Sequence, residues 1–505
     1  MQYNQWSKAY EVLGDASKGE RSSMVYLDGI AVPQAQATVE LVQGLNEQDA
    51  AMLQALTSRD TSPIQVQLEK IQKSGSGKFM ERFYVGYGHK SIADAAFVHL
   101  NFRHISLLAA KAIENWGKFA AIELSTRYVS MVNSDVIDID ETCYFADMKQ
   151  SEVQVEFLKF YRRNRAKVRA HVVAEHPRRD GEKAEDYERA CDARTFDILR
   201  GFLPAGTLTN MWLTIDFRQV YEMLYWLASH PLLEVRDLAD ATNTLLYKQF
   251  PGSFKETLKR DDWGMAMGRA YAYMSYELGH RIFQDLEGEV GAVRSDFPTY
   301  GELVKDLDED LSYLALRPAF APLPPMYHQT SLLTWRALTD FAGLRDIQRH
   351  RMYTPRLPVL LGTGQLHDWY LDNLPKDVFV EATQLLSKFT PYWSEPHRTR
   401  KPNQTADEFL TQMQYAVPIG TVCPVQVQST LGGMIYTLEL RTKEDVHATV
   451  RNVYLRLATH FEQAYPDIRI TINRNPDPWT VRRGQQTIIE RTEEKESLCL
   501  FRLSK

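Results

Sequence analysis

Two short stretches gather the residue types that binding a phosphorylated or anionic ligand needs. Glu123-Leu-Ser-Thr-Arg-Tyr128 packs a carboxylate, a hydroxyl, a guanidinium and a phenol into six residues. They lie beyond the end of an apolar helical pattern. Arginine contacts phosphate oxygens bidentately and serine adds one donor, a grip suited to a phosphorylated sugar that lysine imitates poorly. An ordinary Glu–Arg ion pair in a loop accounts for the same residues as well. Arg349-His350-Arg351 sets two permanent cations beside an imidazole at a second helix end. Neighbours on a helix point in different directions, so the triplet suits several groups of one large anion. Compensation of the helix dipole is the competing account.

Other chemistries find less support. There is no H-E-x-x-H, and His99 and His104 match neither helical nor zinc-type spacing, so no metal site is expected. No Gly-x-Ser-x-Gly elbow occurs. Lys73-Ser-Gly-Ser-Gly-Lys78 has Gln72 and Phe79 where a phosphate loop needs glycine and a hydroxyl, so a flexible turn is expected there. Cys143, Cys191, Cys423 and Cys499 lie far apart with no C-x-x-C pair, which argues against a structural zinc or a disulfide framework and for a reducing cytosol. A net charge of −6 provides no bulk basic field for nucleic acid. With 44% hydrophobic and 25% charged residues the chain is globular, and 505 residues call for two to four folding units. The polar N-terminus and the lack of any run of about 18 apolar residues predict no membrane span and a cytoplasmic protein.

The elements that must position these residues are read from periodicity. The first 80 residues suggest short helices broken at Pro33 and Pro63. Val98, Leu100 and Phe102 alternate with polar residues, the period of a strand, and Ile105, Leu108, Ala109, Ala112, Ile113 and Trp116 then follow helical spacing up to Gly117. A polar loop is expected from Lys118 to Tyr128. A long basic helix follows, with Arg162 to Arg169 and then Arg178-Arg179 on what is expected to be a solvated face. Beyond Leu203-Pro204 a helical pattern carries Val220, Leu224 and Leu227 and reaches Phe250-Pro251. The later part repeats this order: a helical stripe of Leu338, Phe341, Leu344 and Ile347 ends in the Arg349 triplet, and Pro355 turns Thr354 extended. Val417-Pro418, an apolar alternation of Met434, Tyr436 and Leu438, and a helix to Tyr465-Pro466 complete it. Pro418 follows Pro204 by 214 residues and Pro466 follows Pro251 by 215, matching offsets that suggest an internal duplication.

Taken in order, Tyr87-Gly-His-Lys-Ser91, a strand, a helix and Glu-x-Ser-x-Arg-Tyr at Glu123 to Tyr128 resemble the front half of a flavin-dependent thymidylate synthase. The resemblance continues through Leu203-Pro204 and Thr214-Ile-Asp-Phe-Arg218 to Pro251. The later part resembles a divergent copy, marked by Arg349-His350-Arg351, Leu438-Glu-Leu-Arg441 and His447-Ala448. Family members carry the Arg-His-Arg triplet and Ser-x-Arg-Tyr on one stretch. Here Asn115-Trp116-Gly117 replaces the triplet in the first copy, and the second copy continues as Met352-Tyr-Thr-Pro-Arg-Leu-Pro-Val359 without Ser-x-Arg-Tyr.

The resemblance implies an α+β fold of two tandem copies, residues 1–260 and 261–505, each an antiparallel sheet flanked by helices. It implies reductive methylation of dUMP to dTMP, with methylenetetrahydrofolate as carbon donor, FAD as hydride carrier and NADPH as reductant. Family sites form between subunits, so a fused pair keeps one composite site and lets its mirror decay, giving a pseudo-dimeric chain that can dimerise further. The site residues implied are Arg441 and Ser125 for catalysis; Glu123, Ser125, Arg127 and Arg441 for dUMP; and His89, Ser91, Asp94, Arg349, His350 and Arg351 for the flavin. The sequence departs from the family at Asp94-Ala95, where Glu-His is usual, at Asp216, where Asn is usual, and at Asn210 or Pro424 in place of a second dUMP-contacting arginine. Two rival readings follow: a noncatalytic descendant that binds a nucleotide or partner protein, and a helical scaffold that offers Arg162 to Arg179 to an acidic partner.

Overall fold

The computed structural model describes residues 5–12, 23–32, 37–58, 60, 62–137, 144–145, 148–307, 311–328, 332–350, 353–360, 365–394 and 405–475. Arg351, Cys143, Cys499 and Pro33 lie outside the described residues. The strands are β1 (Gln5–Val12), β2 (Ser23–Val32), β3 (Ala37–Gln43), β4 (Phe97–Ser106), β5 (Ala120–Glu123), β6 (Tyr144–Phe145), β7 (Met148–Lys149), β8 (Leu208–Asp216), β9 (Val293–Asp296), β10 (Leu333–Asp340), β11 (Tyr353–Arg356) and β12 (Val422–Ser429). They form sheets in the orders β1-β2-β3, β4-β8-β5, β11-β12-β10-β9 and β6-β7. Chain contacts define two compact units: residues 1–102, 118–122 and 212–268, and residues 103–117, 123–211 and 269–505.

In the first unit the opening residues are strands, which corrects the expectation of short helices there. Val25 and Leu27 are buried while Met24, Tyr26 and Asp28 are exposed, the two-residue period of a strand with one covered face. Helices Glu47–Thr57 and Ile64–Ser74 supply Met52, Leu53, Leu68 and Ile71 to the same core as Val25. The Lys73–Lys78 stretch is no open turn: Gly75, at φ 74°, joins two helices directly.

The second unit shows why its elements fall where they do. Ser106 closes β4 and accepts a hydrogen bond from the Ala109 N–H, so the helix Leu107–Glu114 starts without a loop. Asp340 stands in the same place before the helix Phe341–Gln348. Leu338 therefore belongs to β10, and its helical spacing from Phe341 spans a strand–helix junction. Met434 and Leu438 are buried and Tyr436 is half exposed on the helix Leu431–Arg441, which replaces the expected alternation by an i, i+4 face. Its strand is β12, just before it. β5 lies inside the expected loop Lys118–Tyr128, and β8 precedes the helix Phe217–Leu227, neither of them anticipated.

The element order recurs. Strand, helix and strand (β4, Leu107–Glu114, β5) are followed by helices Gln150–Glu175 and Ala184–Leu199, β8, and helices Phe217–Leu227 and Leu233–Gln249. The later part runs β10, Phe341–Gln348, β11, helices Lys376–Ser394 and Ala406–Met413, β12, and helices Leu431–Arg441 and Ala448–Ala464. The last two helices of each series match in length, at 11 and 17 residues.

Backbone hydrogen bonds repeat in pairs within the second unit. Leu107 N donates to Thr207 O and Phe341 N to Thr421 O; Leu108 N donates to Ala205 O and Ala342 N to Ile419 O. Ile137 N reaches Gly206 O as His367 N reaches Gly420 O. Where the two series meet, the bonds are reciprocal: Ala205 N donates to Val417 O at 2.9 Å, and Ile419 N to Leu203 O at 2.8 Å. Pro204 and Pro418 face each other at this crossing. A local two-fold relation therefore carries Leu107 onto Phe341 and Pro204 onto Pro418.

Candidate nucleotide site

The Glu123–Tyr128 segment begins as the end of β5 and turns away as a loop. Leu124 N donates to Asn210 O, and Ser125 Oγ accepts from Arg127 N at 3.2 Å, which folds the loop back on itself. Ser125 is half-buried, whereas Glu123, Thr126 and Arg127 are buried and Tyr128 is exposed.

Each charge in the segment meets a partner that the sequence reading missed. Glu123, whose side chain is fully buried, accepts from Arg345 Nη2 at 2.6 Å and lies 3.1 Å from Lys111 Nζ. Lys111 also pairs with Glu114. Lys111 and Arg345 each stand four residues after the first residue of their helix, Leu107 and Phe341, so the two-fold relation brings equivalent cations to one carboxylate. Burial pushes the Lys111 ammonium down to about 7; Glu123 opposes this and Arg345 adds to it. Burial would raise Glu123, but Arg345 and then Lys111 outweigh it and hold the carboxyl below its ordinary value.

Arg127 makes a two-pronged contact with Asp197, Nε to Oδ1 at 2.7 Å and Nη2 to Oδ2 at 3.1 Å, and Nη2 also reaches Asp445 O at 3.0 Å. Arg127 therefore sits beside the residues that follow the Leu431–Arg441 helix. His447 closes the same corner, with Nε2 3.3 Å from Asp197 O.

The triplet supplies the next wall. Arg349 lies 3.8 Å from Asp346, and Arg200 approaches that carboxylate at 3.4 Å. Burial would raise Asp346; Arg200, Arg349, Arg127 and Arg441 together hold it well below the usual carboxylate range. Arg441 Nη2 donates to Asp346 O, and its Nε donates to His350 Nε2 at 2.6 Å. His350 must accept there, so its proton sits on Nδ1, and burial with the Arg441 charge keeps the ring neutral.

Glu123, Arg127, Arg441, Arg349 and His350 thus belong to one network in one unit, with Ser125 on its loop. Glu123 is turned inward onto Arg345 and Lys111, away from the exposed edge of the cluster. Arg349, with 43% of its side chain exposed, and half-buried Arg441 are cations at the edge of the cluster. Arg441 hydrogen-bonds a neutral ring and a carbonyl, neither of which cancels its charge.

His89, Ser91 and Asp94 belong to the first unit, and all three are exposed. Gly88, at φ 72°, makes the turn before His89, whose ring lies 6.0 Å from Tyr87 and 6.3 Å from Phe83. Asp94 pairs with Arg218 at 3.3 Å. The basic helix is laced with ion pairs, Lys167 to Asp377 and Arg169 to Asp192 among them, as a solvated face would be. Among the described residues no group of three or more His, Cys, Asp or Glu is placed to hold a metal ion. No described helix is long and apolar enough to cross a membrane.

The missed residues leave a faint signal in sequence. Lys111 and Arg345 are single cations inside apolar helix runs, and Asp197 and Arg200 are spaced three apart where a helix ends before Leu203-Pro204.

Comparison with known proteins agrees with the family resemblance. Residues 40–252 match the family model described as Thymidylate synthase complementing protein. A UPF0159 protein of Chlamydia muridarum is 25% identical over 439 residues, covering 78% of this chain and 80% of its own. One from Chlamydia pneumoniae is 24% identical over 423 residues, covering 76% and 77%, and one from Thermoplasma acidophilum is 20% identical over 458 residues, covering 78% and 87%. The crystal structure of flavin dependent thymidylate synthase ThyX from Helicobacter pylori complexed with FAD and dUMP aligns at 17% identity with a TM-score of 0.29, over 42% of this chain and 96% of that one.

Proposed function

We propose, for a chain whose residues 40–252 belong to the thymidylate synthase complementing protein family, that it is a flavin-dependent thymidylate synthase with a single composite dUMP site. The reaction proposed is reductive methylation of dUMP to dTMP, with methylenetetrahydrofolate as carbon donor and NADPH as reductant. The observation that carries this reading is the convergence of Arg127 and Arg441, from the two recurring series, beside the half-exposed Arg349. Likeness to the UPF0159 protein of Chlamydia muridarum covers 78% of this chain, more than the family segment, in keeping with a fused pair of copies at residues 1–260 and 261–505.

The donor set suits phosphate-bearing ligands: guanidinium groups fixed by Asp197, Asp346 and His350, with Arg349 and Arg441 at the edge. Arg349, His350 and Arg351 would hold the FAD, which supplies hydride when bound. Ser125 and Arg127 would orient the nucleotide. Arg441 would polarise the uracil carbonyl and raise the nucleophilicity of the ring carbon; its pairing with a neutral histidine keeps its charge uncancelled for that purpose. The aligned guanidinium groups need little rearrangement as charge develops.

A second reading has its own support. Arg127, Arg200 and Arg345 are already paired with Asp197, Asp346 and Glu123, which favours a noncatalytic nucleotide binder over an enzyme. An absorbance spectrum of the purified chain during titration with FAD and then dUMP separates the readings. A flavin band that shifts on adding dUMP, and no longer shifts in Arg441→Ala and Ser125→Ala, supports the synthase site. No flavin bound at high micromolar FAD sinks it.

A further inference from the structure

The two-fold relation that builds the nucleotide site also defines a second position, where the mirror site would lie. Its counterparts follow from the paired hydrogen bonds and element lengths. Asn115 corresponds to Arg349, Ala112 to Asp346, Gln414 to Arg200 and Thr411 to Asp197. These four charged residues of the first site thus have neutral counterparts, whereas Lys111 and Arg345 are equivalent cations. Leu357–Leu360 follows β11 as Leu124–Arg127 follows β5.

One short segment engages Asn115, Gln414 and the Leu357 loop. Asn115 Nδ2 donates to Tyr271 O at 3.2 Å, Gln414 Nε2 to the Tyr273 hydroxyl at 3.1 Å, and Met274 N to Leu357 O at 2.5 Å. Gln414 Oε1 also accepts from Leu360 N at 2.8 Å, fixing the loop against the same residue. Ala272, Tyr273 and Met274 are 2%, 7% and 3% exposed, so the segment is packed inside the unit and is not draped over it. It comes from the stretch joining the two recurring series, which a chain with unfused copies would not have.

We infer that Tyr271–Met274 is a built-in occupant of the mirror site, so that each chain offers one nucleotide position and not two. The inference rests on the proposed dUMP site and adds to it the residues that set its stoichiometry. Two physical terms favour this arrangement. Removing the charges makes the mirror position tolerant of buried tyrosine rings, and a covalently tethered occupant has a high effective concentration that a free ligand must exceed.

The test uses the full chain and two independent readouts. Equilibrium dialysis with radiolabelled dUMP in the presence of FAD is expected to saturate at one per chain; saturation at two overturns the inference. In the second arm, Tyr273→Ala, with Tyr273→Leu as the milder variant, should lower the melting temperature, and 4-methylphenol, the missing side chain, should restore at least half of the loss while leaving dUMP stoichiometry at one. Failure of 4-methylphenol to raise the melting temperature of either variant overturns the plugged pocket. Absence of all dUMP binding overturns the proposed function instead, and the 4-methylphenol arm still reads the occupant.

Discussion

At the scale of single residues, the cluster is governed by charges that have left water. Lys111 has a folded-state value of about 7 against 10.5 in an exposed lysine. Between those values the unfolded chain binds the extra proton, so stability rises with pH through this window and is lowest below it. Thermal or urea denaturation across pH 7 to 10 should show an increase of a few kcal/mol that Lys111→Met removes; an unchanged slope in the variant would refute a depressed lysine. Glu123 lies between Lys111 and Arg345, and its loss leaves Arg345 without its carboxylate partner in the interior while Lys111 keeps only Glu114. Glu123→Ala is expected to cost about 3 to 5 kcal/mol by urea denaturation. A cost below about 1 kcal/mol would mean that the pair is solvated.

At the scale of elements, the site depends on how closely the two recurring series cross. Gly420 N donates to Gly201 O at 2.8 Å, and a Cβ on Gly420 would stand 2.7 Å from Gly201 Cα. Both neighbours there are backbone, which cannot rotate aside. Gly420→Ala should therefore destabilise by about 1 to 3 kcal/mol and weaken dUMP binding along with stability. A neutral result would show the crossing to be loose.

This crossing also explains what the sequence revealed. Periodicity located β4 and the final helix because those elements have one covered face, and the helix after β4 from its apolar run, all eight of its residues being buried. It misplaced Leu338, since strand runs into helix at Asp340 with no loop to mark the change. It misread Met434 to Leu438 because an i, i+4 pair with Tyr436 between them also looks like alternation. The loop residues Ser125 and Arg127 and the triplet were legible as a concentration of phosphate-seeking groups. Lys111, Arg345, Asp197 and Asp346 were not, because a buried ion pair is defined by its partner, and the pairs that cross the fold join residues 12 to 222 apart in sequence. The β1-β2-β3 sheet was missed because Pro33 drew attention to breaks and away from the two-residue period of Val25 and Leu27.

At the scale of the whole molecule, Asp197, Arg200, Asp346 and Arg349 line one position where its mirror has Thr411, Gln414, Ala112 and Asn115. A site assembled within one chain and a site assembled between chains make opposite predictions in mixtures. Arg127→Ala and Arg441→Ala should each reduce dUMP affinity by about 10-fold to 100-fold, the loss expected for one charge-assisted contact. The decisive measurement is dUMP binding by the two variants after they are denatured together and refolded as a mixture. Because both arginines serve the same site in the same chain, the mixture should bind no better than the separate variants. Recovery of about one quarter of the wild-type sites would place the two arginines on different chains and contradict the composite site.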